Sequence, residues 1–399
     1  MGKILIPYSM LKSSQRLLSI DAFRALTMLT MIFVNDVSGV KNIPGWIDHV
    51  KAQDDGMGFA DTVFPAFLFI VGLSIPFAIG KRITKQDAFI NIETHILVRS
   101  LALILMGFFH VNLEGYSQTA LLPYALWELL ITIGFFLVWL DYPAEMKAGR
   151  KYTLMGSGIV LLGALAALYK GGSAEDPHWM QPSWWGILGI IGWAYLVTAT
   201  LYLLVKGNFI AITSILGVFL LINILTHARL LQFDIPLIND GSSVSLIMAG
   251  AVVSSLYTLL DKKGKLSLVL PVFIGLGILA IIAGFVLRPY TEGISKIRST
   301  PAWVLICTGI SILVFVTMIW LVDILGKMNW FKAIRPAGTS TLTCYLIPYL
   351  LYSVLMLAGI RFPSWLSEGI PGLIRSVVIA FLVIFLVGWM EKKRVRLKI

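Results

Sequence analysis

The sequence predicts an all-α fold: a polytopic bundle of about twelve membrane-spanning helices with both termini cytoplasmic. Three observations predict it. Hydrophobic residues make up 58% of the 399 and charged residues only 13%, with a mean hydropathy of +0.85, too little charge to keep a soluble domain of this size dispersed. Apolar runs of about 20 residues, the length that crosses a bilayer core, recur along the whole chain. Lys and Arg gather in alternate loops, which is the asymmetry that orients membrane helices.

Taken in order, the apolar runs lie at 19–38, 59–80, 96–112, 119–140, 152–169, 184–205, 208–226, 243–260, 267–288, 302–326, 337–359 and 371–390. Those at 96–112 and 152–169 are short, and only "VKGN" separates the sixth from the seventh. The opening "MGKILIPYSMLKSSQRLL" is too polar for a signal peptide. With twelve spans, the termini and the even-numbered loops share one side, which carries 21 of the 32 Lys and Arg against 8 in the opposite loops. That bias puts the termini in the cytoplasm and the 39–58 loop outside. This longest loop has twenty residues, so 1–399 reads as a single integral-membrane domain. The basic tail "EKKRVRLKI" fits an anchor on anionic lipid better than a nucleic-acid patch. Cys307 and Cys344 lie in apolar runs, without disulfide or metal-ligand spacing, and read as small buried hydrophobes.

Ionisable side chains inside spans are costly, so they pair or line cavities. Asp21, Arg24, Met28, Met31 and Asn35 follow 3, 4, 3, 4 spacing and share one helical face. Arg24 and Asn35 stand ~16 Å apart along the axis at 1.5 Å per residue. The stripe either lines a path through the membrane or packs on neighbours, with Asp21 paired to Arg24. Arg99 enters the third run from the same end as Arg24, near Lys81 and Arg82. Guanidiniums there suit either the phosphates of a nucleotide cofactor or phospholipid headgroups. Glu128 in "LWELL" reads as a protonated structural acid or an interhelix polar contact. His49 and Asp61 are twelve residues apart, so a folded-back loop lets the carboxylate hold one ring nitrogen and leave the other as a base; a solvated loop histidine is the plainer alternative.

The segment "SIDAFRALTMLTMIFVN", a loop histidine and then "GFADTVFPAFLFIVGLSI" together resemble the heparan-alpha-glucosaminide N-acetyltransferase family. That family's pattern is roughly S-x-D-x-x-R-G, a helix ending in V-N, a loop with His, then ADLVFPxFxFxxGxS. The matches include Ser19, Asp21, Arg24, Asn35, His49, Gly58, Asp61, Pro65, Gly72 and Ser74, all within 19–80. Weaker similarity extends to "RSLALILMGFFHVN", "WGILGIIGWAYLV", "SKIRSTPAWVL" and "AGTSTLTCYLI". Ala25 stands where the family has Gly, Gly189 and Ile190 replace a Q-R pair, Ser299 replaces Trp, Ser340 replaces Asn, and the runs 119–140 and 152–169 look additional.

The resemblance implies transfer of acetyl from cytosolic acetyl-CoA, across the membrane, to the amine of an amino sugar or glycan at the exterior face. It implies catalytic roles for His49 and Asn35, with Asp61 orienting the ring, Arg24 and Arg99 as candidates for the CoA phosphates, and Lys296 as the candidate for the acceptor. It calls for no metal. Trp46, Trp179, Trp184 and Trp185 stack on a sugar ring in this reading or anchor the protein at the interface. The expected partners are a small-molecule or glycan acceptor and the lipid bilayer, not nucleic acid, with a homo-oligomer left open. A bacterial homologue in the inner membrane is the expectation. The competing class is a transporter of amino sugars or oligosaccharides, although no paired Gly/Pro-broken spans mark an inverted repeat.

Overall fold

The computed structural model describes residues 17–232 and 237–399. The expectation made for the N-terminal stretch, with Lys3, Lys12 and Arg16, lies outside them. The described chain is all-α: Leu18–Val37 (α1), Ala60–Thr84 (α2), Phe89–Val111 (α3), Tyr124–Trp139 (α4), Ala148–Ala167 (α5), Gly186–Leu204 (α6), Phe209–His227 (α7), Ser242–Lys262 (α8), Val269–Leu287 (α9), Pro301–Met318 (α10), Arg335–Thr339 (α11), Thr341–Leu357 (α12) and Gly369–Lys392 (α13). A two-residue hairpin, Gly171–Gly172 (β1) with Pro177–His178 (β2), sits between α5 and α6. Among the described residues nine helices are long and apolar enough to cross a membrane, or ten if a bent pair counts as one span. The protein is an integral membrane protein on these helices.

Backbone breaks reshape the apolar runs at 119–140 and 337–359. The run at 119–140 yields only the 16 residues of α4. Pro123 cannot donate a helical hydrogen bond and keeps the residue before it out of the helical region, so the helix starts at Tyr124. The run at 337–359 begins in the segment Lys327–Thr339 and turns by 73° before α12. Ser340 leaves helical geometry there, at φ −127° and ψ 46°.

Hydrogen bonds between loops sort the two ends of the bundle. At one end, the loop 38–59 is tied to the α9–α10 loop (Gly56 N–H to Ile294 O, 2.9 Å) and to the approach to α13 (Lys41 N–H to Ser367 O, 2.9 Å). The α3–α4 loop is tied to the α5–α6 loop in the same way (Ser117 N–H to Lys170 O, 3.0 Å). At the other end, the tail donates from Lys398 N–H to Trp139 O at 2.8 Å, and the Ser19 amide reaches Asp323 beyond α10 at 3.3 Å. These ties place the end of α1, the α9–α10 loop and the start of α13 at one end, and the start of α1, the ends of α4 and α10 and the C-terminal tail at the other.

The tightest crossing joins α2 to α8. A Cβ on Gly72 would lie 1.8 Å from the Ile247 carbonyl oxygen, and one on Gly250 would lie 2.0 Å from that of Phe69. Reciprocal glycines let the two backbones touch, and close packing substitutes for the hydrophobic drive that lipid cannot supply between helices. Elsewhere in the core Phe23 (α1), Phe315 (α10) and Phe273 (α9) stack in series at 6.4 Å between centroids. Helices α7 and α9 leave most of their apolar surface outward, as a lipid-facing position requires. Glu128, in the second turn of α4, makes an interhelix contact: Ser353 Oγ of α12 donates to its carboxyl. Cys307 and Cys344 are buried and unpaired.

Candidate functional site

The loop 38–59 folds back onto the start of α2. The first amides of a helix have no intrahelical acceptor. Here Phe59 N–H donates to Trp46 O (2.7 Å) and Ala60 N–H to Ile47 O (3.2 Å), which draws the preceding loop across the helix end. Gly58 makes the fold possible, because a Cβ there would lie 1.9 Å from the Asp48 carbonyl oxygen. Asp61, in the first turn of α2, then completes the closure. Its Oδ2 accepts from the amides of Gly58 (3.0 Å) and Val50 (3.1 Å), and its Oδ1 lies 2.6 Å from His49 Nδ1.

Asp61 is 1% exposed, and a buried carboxylate survives only when hydrogen bonds satisfy it. Three donors and the positive end of α2 do so here. With Oδ2 occupied by two amides, Oδ1 takes the Nδ1 proton of His49. That tautomer leaves a lone pair on Nε2. The ring itself is one-third exposed, so Nε2 is within reach of a ligand. Trp303 Nε1 donates to the Asp61 backbone carbonyl at 3.1 Å and seats the helix end on α10.

Lys296 joins the pair from 247 residues away in the sequence. Its Nζ lies 3.4 Å from His49 Nδ1, and burial holds its ammonium below the ordinary lysine value, against an opposing pull from Asp61. The α9–α10 loop that carries it is pinned by Asp55. That carboxylate accepts from Ile294 N–H at 2.7 Å and from Arg288 Nε at 2.9 and 3.1 Å. Burial alone would raise the Asp55 carboxyl, but the Ile294 amide and the Arg288 guanidinium bring it below the ordinary aspartate value.

The other sequence candidates stand further apart. Asn35 is in the last turn of α1, at the same end as His49, with an exposed side chain whose amide makes no hydrogen bond among the described residues. Its backbone carbonyl accepts from Ser38 Oγ at 2.8 Å. Arg24 donates to Asp21 (3.2 Å) and to Ser74 of α2 (2.7 Å). Met28 and Met31, between Arg24 and Asn35 on the same stripe, are packed into the core. The middle of the stripe is therefore closed by flexible side chains that fill the interhelix space. Arg99 lies over the Tyr195 ring of α6 at 5.3 Å, and α3 starts at Phe89, so this arginine sits about 15 Å into its helix. Trp46 is 69% exposed on the site's own loop; Trp184 donates to Glu114 at 3.0 Å, and Trp179 to Ala166 O at 2.7 Å.

Several residues around this end were not singled out by sequence. Asp55 is one, within the loop 38–59. Asp36, next to Asn35, is another: it accepts from Tyr352 Oη, Ser376 Oγ and Arg375 Nη2 (the last at 3.1 Å) and ties α1 to α12 and α13. His227 is a third, set between Asp240 and Glu292. An Asp directly after the matched V-N pair was the available signal for Asp36; for His227 a histidine at a helix end was the sole hint.

Over 106 residues the chain is 32% identical to the heparan-alpha-glucosaminide N-acetyltransferase of Mus musculus, and over 97 residues it is 34% identical to that of Homo sapiens. These stretches cover 27% and 24% of this chain but 15% and 14% of those proteins, so the similarity spans a minor part of the relatives' length. Residues 16–228, more than half of the chain, match the family described as Domain of unknown function (DUF5009), and the chain belongs to that family.

Proposed function

We propose that the protein is a transmembrane acetyltransferase that moves acetyl from acetyl-CoA on the cytoplasmic side to the amine of an amino sugar or glycan at the end that carries His49. The observation that carries this reading is the His49–Asp61 pair, at 2.6 Å on a buried, fully hydrogen-bonded carboxylate. It lies in the stretch that resembles the acetyltransferases most closely.

The chemistry assigned to these residues is acyl transfer. The acceptor nitrogen attacks the thioester carbonyl carbon while His49 Nε2 takes its proton. Asp61 holds the ring in the required tautomer and stabilises the imidazolium that forms. The tetrahedral intermediate then expels the CoA thiolate as the C–S bond breaks, and the thiolate is protonated to the thiol. Asn35 is the candidate donor to the developing oxyanion, a role that needs its exposed amide to turn toward the bound thioester. Arg24 and Arg99 offer charge-assisted contacts to CoA phosphates, and Lys296 and Trp46 offer polar and stacking contacts to the acceptor. A direct transfer and a path through an acetylated His49 use the same residues.

The test is to incubate the purified protein in detergent with labelled acetyl-CoA and a panel of amino sugars, in parallel with uptake into vesicles. Label on the sugar nitrogen supports the proposal. Uptake of unmodified sugar with no acetylation would replace it with the transporter.

A further inference from the structure

His227, the last residue of α7, is one-tenth exposed, and both of its ring nitrogens face carboxylates. Nε2 lies 2.8 Å from Asp240 Oδ2, and Nδ1 lies 3.2 Å from Glu292 Oε2. A neutral imidazole has one N–H and can serve only one such acceptor, whereas the imidazolium serves both. The two carboxylates come from different elements. Asp240 precedes α8 and also accepts from the Ser242 amide at 3.0 Å. Glu292 belongs to the α9–α10 loop, four positions before Lys296, and it also holds Arg229 at 3.1 and 3.2 Å.

That loop is therefore gripped from two sides. Asp55 holds it to the loop that bears His49, and His227 holds it to α7 and α8. Among the described residues the charged groups facing the ring are Asp240, Glu292 and, behind Glu292, Arg229. Helix α10, which packs on α7, has no Asp, Glu, Lys, Arg or His between Pro301 and Met318, and in α8 the acidic and basic residues, Asp261 and Lys262, are at the far end.

We infer that His227 is a positioning residue of the site: as an imidazolium it latches the Lys296 loop to α7 and α8, and its deprotonation releases one side of that grip. The two histidines then need opposite states. His49 acts as a base only when neutral, and His227 holds the loop fully only when charged. Low pH tightens the latch; rising pH opens it by turning a ring lone pair toward one carboxylate. The kinetic arm of the test rests on the acetyltransferase reading, and the structural arm does not.

The structural arm is amide hydrogen exchange in residues 291–300 of the full-length protein in detergent, between pH 5 and 9, corrected for intrinsic exchange rate. In the wild type, protection at Gly293, Ile294 and Ser295 should fall about tenfold as pH rises through the imidazole range. His227→Gln should show the low value at every pH. Glu292→Gln should show little pH dependence with the latch closed, because its amide can donate to a neutral Nδ1 while Nε2–H serves Asp240. In the kinetic arm, His227→Gln should raise the acceptor KM about tenfold and leave the acetyl-CoA KM unchanged. Equal, pH-independent protection in wild type and His227→Gln, with α2 and α10 exchanging normally in both, would overturn the latch even if acetyl transfer is found. The predicted exchange pattern in a protein that transfers no acetyl would instead retain the latch and remove the enzyme.

Discussion

Replacing Asp61 by Asn changes one atom of the site and reverses its proton logic. The wild-type carboxylate faces three donors: the Val50 and Gly58 amides on Oδ2 and His49 Nδ1 on Oδ1. Asparagine has one acceptor oxygen, and the two amides, fixed by the backbone, claim it. Its NH2 group is left pointing at Nδ1, to which it can only donate. The ring must then carry its proton on Nε2, the atom that is meant to accept one. The variant also loses the charge-assisted bond that stabilises the imidazolium, worth ~1.5–3 kcal/mol, which is roughly a ten- to hundredfold loss in rate. Steady-state transfer of labelled acetyl to the amino sugar should therefore show kcat down by about that factor, with the acetyl-CoA KM little changed. Asp61→Ala supplies the structural control. It strands two amides at about 1–3 kcal/mol each and should lower the melting temperature, which Asp61→Asn should do far less. A folded Asp61→Asn protein with wild-type kcat would exclude this proton route, because a ring that carries its proton on Nε2 cannot take another there.

Further expectations follow from the same geometry. Arg24→Ala and Arg99→Ala should each weaken acetyl-CoA binding by roughly ten- to a hundredfold, the scale of a lost guanidinium–phosphate contact of ~1.5–3 kcal/mol; unchanged affinity in both, by calorimetry on folded protein, would make them anchors. Lys296→Met should raise the acceptor KM and yet stabilise the fold at neutral pH. Burial depresses the Lys296 amine, so its charge opposes folding below the folded-state value, and that penalty fades as pH rises toward the ordinary lysine value of 10.5. The gain in melting temperature for Lys296→Met should accordingly shrink by pH 10, and a lower melting temperature at pH 7 would contradict it. Lys51, exposed on the loop 38–59, supplies the topology test: Lys51→Cys should react with an impermeant thiol reagent in whole cells, and labelling only after lysis would reverse the orientation.

The helices were legible because a spanning helix announces itself by length and hydropathy. Their ends were less so, because Pro123 and the break at Ser340 act on single backbone positions that an apolar window averages away. At the site, His49 and Asp61 were legible as a pair, since twelve residues and a short loop constrain where the chain can go. Lys296 was named without its partner: 247 residues separate it from His49, and nothing local records which loops meet above a bundle. The same limit hid Asp36 with Arg375 and Asp55 with Arg288, whose value lies entirely in tertiary pairing. Arg99 was placed too near the helix end because α3 begins seven residues before the apolar run does.

Whether His49 is the base of an acetyl transfer is decided by one comparison. Wild-type protein and His49→Ala, both shown to be folded by their melting curves and to bind acetyl-CoA, are assayed with a saturating amino-sugar acceptor. His49→Ala should keep near-normal acetyl-CoA affinity and show a kcat at least about a hundredfold lower, the usual loss for a positioned acid or base. A wild-type turnover rate from His49→Ala would contradict it and leave this histidine as a solvated loop residue.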